Sequence, residues 1–144
     1  MFGHSYSPSR RGFSVGVTAA GAAVAVVVLL IAGAWAQQPG TTRTDLQRHP
    51  LSIPGREVIQ VLVGFAPGAM AVRHSHPGEE IVYVVEGVLE YQLDGKPPVT
   101  LRAGEVLFIA SGEVHAARNV GSGHAAELAT YIVEVGKPLL EIAE

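Results

Sequence analysis

The chain of 144 residues contains no cysteine. Disulfide frameworks, thiolate zinc sites, iron–sulfur clusters and cysteine nucleophiles are thereby excluded, and a bound metal must be held by His, Asp, Glu or backbone oxygen. Charged residues make up 16% and aromatic residues 6% of the chain. Lys and Arg form no cluster, so the sequence lacks the basic footprint with which proteins neutralise nucleic-acid phosphate or anionic lipid. Nucleic acid is excluded as a partner class on this ground. What is abundant is apolar residues, 48%, and turn-forming residues, 17 Gly and 9 Pro.

The apolar residues are not spread evenly. Val15 to Ala36 is almost entirely Val, Ala, Gly, Leu and Ile and carries no charge. Arg10 and Arg11 precede it, and Ala34-Trp35-Ala36 closes it before Gln37, the order of an export signal with basic, apolar and cleavage regions. Ser9-Arg10-Arg11-Gly12-Phe13 resembles the bacterial twin-arginine signal, with Ser14 and Val15 where Leu and Lys are usual. Residues 1–36 are therefore read as an export signal, and the mature protein is expected in the periplasm or secreted. Left uncleaved, a segment of about 20 apolar residues is long enough to anchor the chain in a membrane. Membrane contact is otherwise not expected. Residues 37–144 carry 8 Lys/Arg against 13 Asp/Glu, so the exported part is acidic.

Residues 37–55 are polar and interrupted by Pro and Gly, which reads as an extended arm. The remainder, 56–144, breaks into eight short runs: Val58–Phe65, Met70–Ser75, Glu80–Val85, Val88–Leu93, Val99–Arg102, Val106–Ile109, His115–Val120 and Glu127–Val135. Turn signals such as Pro67-Gly68, Pro77-Gly78, Asp94-Gly95 and Ser111-Gly112 separate them. Eight short runs at this spacing predict an all-β sandwich or barrel. Several runs are apolar on both faces, as expected where a second sheet or a partner subunit covers the outside.

Four residues in these runs carry chemistry. His74-Ser75-His76 sets two imidazoles two residues apart, and alternate residues of a strand share a face. Pro77-Gly78 turns the chain so that Glu80 opens the next strand beside them, and His115 starts a later one. Three imidazoles and one carboxylate suit Mn, Fe, Co, Ni, Cu or Zn, and an octahedral ion so held keeps two open positions. His4, His49 and His124 fall in the signal, the arm and a loop, and Glu79 is read as solvated charge.

This spacing resembles the cupin family. Its first motif, Gly-x5-His-x-His-x(3,4)-Glu-x6-Gly, is met by Gly68, His74, His76, Glu80 and Gly87. The second, Gly-x5-Pro-x-Gly-x2-His-x3-Asn, is met by Gly104, Gly112, His115 and Asn119, with Ala110 at the Pro position. The resemblance implies a single cupin-type β-barrel, a double-stranded β-helix or jelly roll, within 56–144. It further implies a metal ion ligated by His74, His76, Glu80 and His115, structural roles for Asn119 and the glycines, and a homodimer.

Strand parity extends the reading from ion to pocket. If the ligands face inward, so do Met70, Val72, Val82, Val84 and Ala117, which gives a small apolar lining without a cationic clamp; Tyr83, Tyr91, Phe108 and Tyr131 are further aromatic candidates. The function expected is a metal-dependent, dioxygenase-like oxidoreductase acting on a small apolar or phenolic molecule, with Glu80 moving between ligand and base. The competing reading is a non-catalytic cupin that binds a small ligand or the metal as sensor or scavenger. Because copper and zinc outcompete manganese and iron in open N/O sites, folding around the ion before export favours Mn or Fe as the resident metal.

Overall fold

The structure, a computed structural model, describes residues 38–144; the export signal read at 1–36 lies outside them. Ten strands follow in chain order: β1 (Thr41–Pro50), β2 (Arg56–Phe65), β3 (Met70–Ser75), β4 (Gly78–Glu86), β5 (Val88–Leu93), β6 (Val99–Arg102), β7 (Val106–Ile109), β8 (His115–Asn119), β9 (Ala125–Glu134) and β10 (Glu141–Ile142). They form two five-stranded sheets, ordered β1-β2-β9-β4-β7 and β10-β3-β8-β5-β6, with every pairing antiparallel. The all-β cupin barrel expected from the sequence is the fold observed.

Alternation in the strands explains why the sheets face each other. In β9, Glu127, Ala129, Tyr131 and Val133 are buried while Leu128, Thr130 and Ile132 lie on the other face. In β5, Leu89, Tyr91 and Leu93 point inward. Phe65, Val82, Val84 and Ile109 of one sheet meet Leu89, Tyr91, Leu101 and Ala117 of the other in a shared core. Each large apolar side chain so enclosed contributes about 1.5–3 kcal/mol.

Two glycines are required by the approach of strands. A Cβ at Gly78 would collide with the Ile132 carbonyl oxygen, so only glycine lets β4 lie against β9 there. Gly87 turns the chain from β4 into β5 at φ +75°, and a side chain at this position would also meet Ala125 at 2.7 Å.

Two elements were not legible as sheet members. Within the segment read as an arm, Thr41–Pro50 pairs with β2 from Thr41 opposite Phe65 to Pro50 opposite Glu57. Its polar composition is that of an edge strand with one solvated face, and Arg48 anchors it by two bonds of 2.5 and 2.6 Å to the Glu57 carboxylate. The short β10 brings the C-terminal segment beside β3, with Ile142 opposite His74.

Candidate metal centre and its cavity

His74 near the end of β3, His76 just beyond it, Glu80 on β4 and His115 at the start of β8 converge inside the barrel, all buried. Register accounts for this. His74 lies opposite His115 across β3 and β8, and Glu80 lies opposite Tyr131 across β4 and β9. The imidazole nitrogens of His74, His76 and His115 lie within 4.8 Å of one another, the scale of two metal bonds of about 2.0–2.2 Å each. Glu80 Oε2 stands 3.2 Å from His76 Nε2 and 3.1 Å from His115 Nε2.

Backbone carbonyls orient all three rings. Nδ1 of His74, His76 and His115 donates to the carbonyl oxygens of Val72, Leu139 and Glu113 at 2.6, 2.6 and 2.9 Å. With the ring proton on Nδ1, each Nε2 presents a lone pair, the arrangement that readies histidine to ligate. Four acceptor atoms then face one another with no donor, and His76 Nε2 and Glu80 Oε2 have no hydrogen-bond partner among the described residues. Only a proton or a cation satisfies such a cluster, so the donor set fits a divalent transition metal.

Electrostatics point the same way. Burial, helped by the neighbouring His115, pushes His74 down to about 4. Burial pushes Glu80 up, but once His115 or His76 takes a proton at Nε2 its hydrogen bond and charge outweigh burial and hold the carboxyl down to about 2. For His115, burial lowers the pKa and the Glu80 carboxylate more than reverses it. Tyr131, whose ring lies 4.6 Å from that of His76, is pushed well up by burial and by the charges of Glu80 and Glu127.

The Ala110 position, where the family motif has Pro, is held by other means. The Ala110 N–H donates to Glu113 Oε2 at 3.2 Å, a bond proline could not make. Glu113 also pairs with Lys96, and its N–H bonds the Ala110 carbonyl at 3.0 Å. The turn that delivers His115 is thus tied by side chains. Asn119 is structural: its amide reaches the carbonyls of Phe65, Ala66 and Gly123 at 3.0, 3.2 and 2.8 Å.

The pocket differs from the parity reading. A cavity of about 100 Å³ beside the cluster is lined by His74, Glu80 and His115 together with Arg43, Ala71, Tyr91, Ala117, Glu127 and Tyr131, among others. Met70 and Val72 are exposed on the outer face. The cause is a β-bulge: Ala71 pairs with Ala117 and His74 with His115, so β3 spends three residues where β8 spends two. Parity flips between them, and Ala71, not Met70 or Val72, faces inward. Val82 and Val84 are fully buried in the core and do not line the cavity. Ala117 does. Tyr83 and Phe108 face outward.

The lining is therefore not purely apolar. Arg43 was missed because its segment read as an arm. Glu127 was passed over as an ordinary strand residue, although a lone carboxylate in phase with Ala129, Tyr131 and Val133 is a legible signal. Arg73 and Arg118 lie outside, paired with Asp94 and Glu90.

Comparison with known proteins agrees with the fold. The sequence profile of the cupin domain matches residues 61–134. Polyketide synthase CurC of Streptomyces cyaneus is 40% identical over 87 residues, 60% of this chain and 54% of that protein. The oxalate-binding protein of Thermotoga maritima is 38% identical over 68 residues, 46% of this chain and 55% of that one. Among solved structures, oxalate oxidase in complex with glycolate superposes with a TM-score of 0.59 at 28% identity, over 72% of this chain and 55% of that one. The chain spans about half the length, or less, of the curated relatives it matches.

Proposed function

We propose, since the chain belongs to the cupin family, that it is an exported, metal-dependent oxidoreductase acting on a small oxygen-bearing molecule, carboxylic or phenolic. The observation that carries this reading is the cluster of lone pairs at His74, His76, Glu80 and His115, opening on a cavity that also holds Arg43, Tyr91, Glu127 and Tyr131. A divalent transition metal held there supplies an open coordination position and Lewis-acidic or redox chemistry. The chain supplies the rest. Glu80 Oε2 exchanges a proton with the bound molecule, Tyr131 walls the cavity beside it, and Ala71 and Ala117 leave room beside His74 and His115.

Size and charge favour a compact substrate. The cavity of about 100 Å³ is below the range of about 300–1,000 Å³ of drug-sized sites. Arg43, which is paired with Asp45 at 2.9 Å, also lines its wall and brings N–H donors suited to an acidic oxygen. Two similar proteins are named for oxalate oxidation and oxalate binding, in keeping with small carboxylates as the first class to test. The second of these names also favours a non-catalytic reading, in which the same cavity binds its ligand without turnover.

Export is supported by the basic, apolar and Ala-x-Ala order of residues 1–36, and Mn or Fe is the resident ion if folding precedes export. A homodimer is supported by the outer face of β4 and β7, where exposed Ile81 and Tyr83 lie opposite exposed Phe108 and Val106. The test is elemental analysis of protein isolated with its native signal, followed by oxygen uptake against small carboxylates and phenols. Mn or Fe with uptake supports the enzyme; a metal-loaded protein that binds a member of the panel without oxygen uptake supports the binder; zinc or copper at full occupancy removes the metal argument.

A further inference from the structure

Glu127 is the one cavity-lining carboxylate, among the described residues, outside the His–Glu cluster. It is 5% exposed, and its Oε2 has no hydrogen-bond partner among them. The Tyr91 hydroxyl, from the facing sheet, is likewise buried, unpartnered and part of the same cavity wall. Unpaired buried polar atoms cost stability. Among the described residues nothing pairs with these two oxygens, and neither group belongs to the His–Glu cluster.

Strand register separates them from the metal ligands. Arg43, Val63, Glu127 and Val84 form one cross-strand row over β1, β2, β9 and β4, whereas Glu80 sits in the row of Tyr131. From Tyr131 to Glu127 is four residues of β9, about 13 Å of strand at about 3.3 Å per residue. The intervening inward residue is Ala129, and Ala71 and Ala117 adjoin Tyr91 on the other sheet. Small side chains thus leave space between the cluster and the two orphaned groups.

We propose that Glu127 and Tyr91 form a subsite that takes a hydroxyl group of the bound molecule while another of its oxygens faces the His–Glu cluster. A hydroxyl both donates and accepts, so it receives the Tyr91 O–H and gives its own proton to Glu127 Oε2. It also suits Glu127 in either protonation state, which matters because burial and the charge of Glu80 push this carboxyl well above the usual range. This inference rests on the reading of the cavity as a small-molecule site and adds a specificity-determining pair to it.

The test measures binding, not turnover. Manganese-loaded protein is titrated by calorimetry with matched pairs that differ by one hydroxyl: propionate and 3-hydroxypropionate, butyrate and 4-hydroxybutyrate, phenol and hydroquinone. At least one hydroxylated member is expected to bind about tenfold more tightly than its partner. Tyr91→Phe and Glu127→Leu should each bring that ratio to about one, measured against the same variant's own unhydroxylated affinity, and Glu127→Gln should retain part of it. A ratio near one in every pair of the wild-type protein, no binding of any hydroxylated member, or a preference that survives in both Tyr91→Phe and Glu127→Leu overturns the proposal. Manganese content separates the two readings: a wild-type protein that does not hold the ion defeats the proposed function, whereas a full metal site without hydroxyl preference defeats this subsite alone.

Discussion

His115 Nε2 lies 3.1 Å from Glu80 Oε2, and Nδ1 of the same ring is held by the Glu113 carbonyl at 2.9 Å. The imidazole is therefore fixed at one nitrogen and aimed with the other. Replacing His115 with Ala removes the proposed ligand that comes from a distant strand. Metal affinity should fall by more than the factor of about 10–100 that loss of an outer partner costs, with the all-β circular dichroism spectrum retained. Unchanged metal content by elemental analysis would mean that the ligand set is wrongly assigned.

His76 depends on a partner much farther along the chain, since its Nδ1 donates to the Leu139 carbonyl. A chain ending at Gly136 loses that acceptor together with β10. Its affinity for manganese should drop by about 10–100-fold while His74, Glu80 and His115 are all still present. Equal affinity in competition with a chelator would show that the C-terminal segment is no part of the site.

The convergence of His74, His76, Glu80 and His115 and most of the strands were legible in the sequence because both obey simple spacing rules. Met70–Ser75, Val88–Leu93, Val99–Arg102 and Val106–Ile109 are strands with the boundaries that turn residues and β-rich runs imply. Parity failed where a long-range event intervened. Nothing local in Ala71-Val72-Arg73-His74 announces that β8 will skip a residue there, so Met70 and Val72 were expected inside. Arg43 was hidden for a related reason: an edge strand is polar because one face meets water, and on composition alone that looks like a tether. Only pairing with β2 turns its alternate residues toward the cavity.

Acid should weaken the metal-free fold in two stages. His74 sits at about 4 in the folded protein against an ordinary 6.5, so its contribution to stability is whole above pH 6.5 and lost as pH falls toward 4. Glu80, at about 2 against 4.5, adds a further loss between those values. His115, shifted upward, works in the opposite sense: its stabilisation is present at low pH and declines as pH rises through its folded value. Between pH 7 and 4.5 His115 and the buried Glu127 oppose the His74 loss, so the fall in thermal melts is expected from pH 4.5 to pH 3, and Glu80→Gln should flatten that part. Melts that rise on acidification below pH 4.5 would contradict the assigned shifts.

Glu127 predicts the reverse pH dependence. Its folded pKa lies well above 4.5 because of burial and then Glu80. The penalty is absent below pH 4.5 and grows as pH rises toward the folded value. Glu127→Gln keeps the shape and removes the charge, so it should raise the melting temperature of the metal-free protein at pH 8 and leave it unchanged at pH 4. A gain of the same size at both values would indicate a packing effect.

The outer face of β4 and β7 carries the last expectation. Ile81 faces Phe108 and Tyr83 faces Val106 across the pair, and β7 is an edge of its sheet. Val106 and Phe108 are 62% and 61% exposed, far more than chance isolated residues need explain, because they adjoin one another and continue onto Val85. Apolar residues contiguous at an open edge are what a second copy of the chain would cover. Phe108→Glu places a charge at the centre of that contact, where leaving it buried and unpaired costs about 3–5 kcal/mol. A dimer held by this face should dissociate more than about a hundredfold more readily in the variant, and sedimentation should report a monomer at micromolar concentration. The cavity lies on the inner face, so metal content should not change. A wild-type protein that sediments as a monomer, or a Phe108→Glu dimer as tight as wild type, would remove β4 and β7 as the contact.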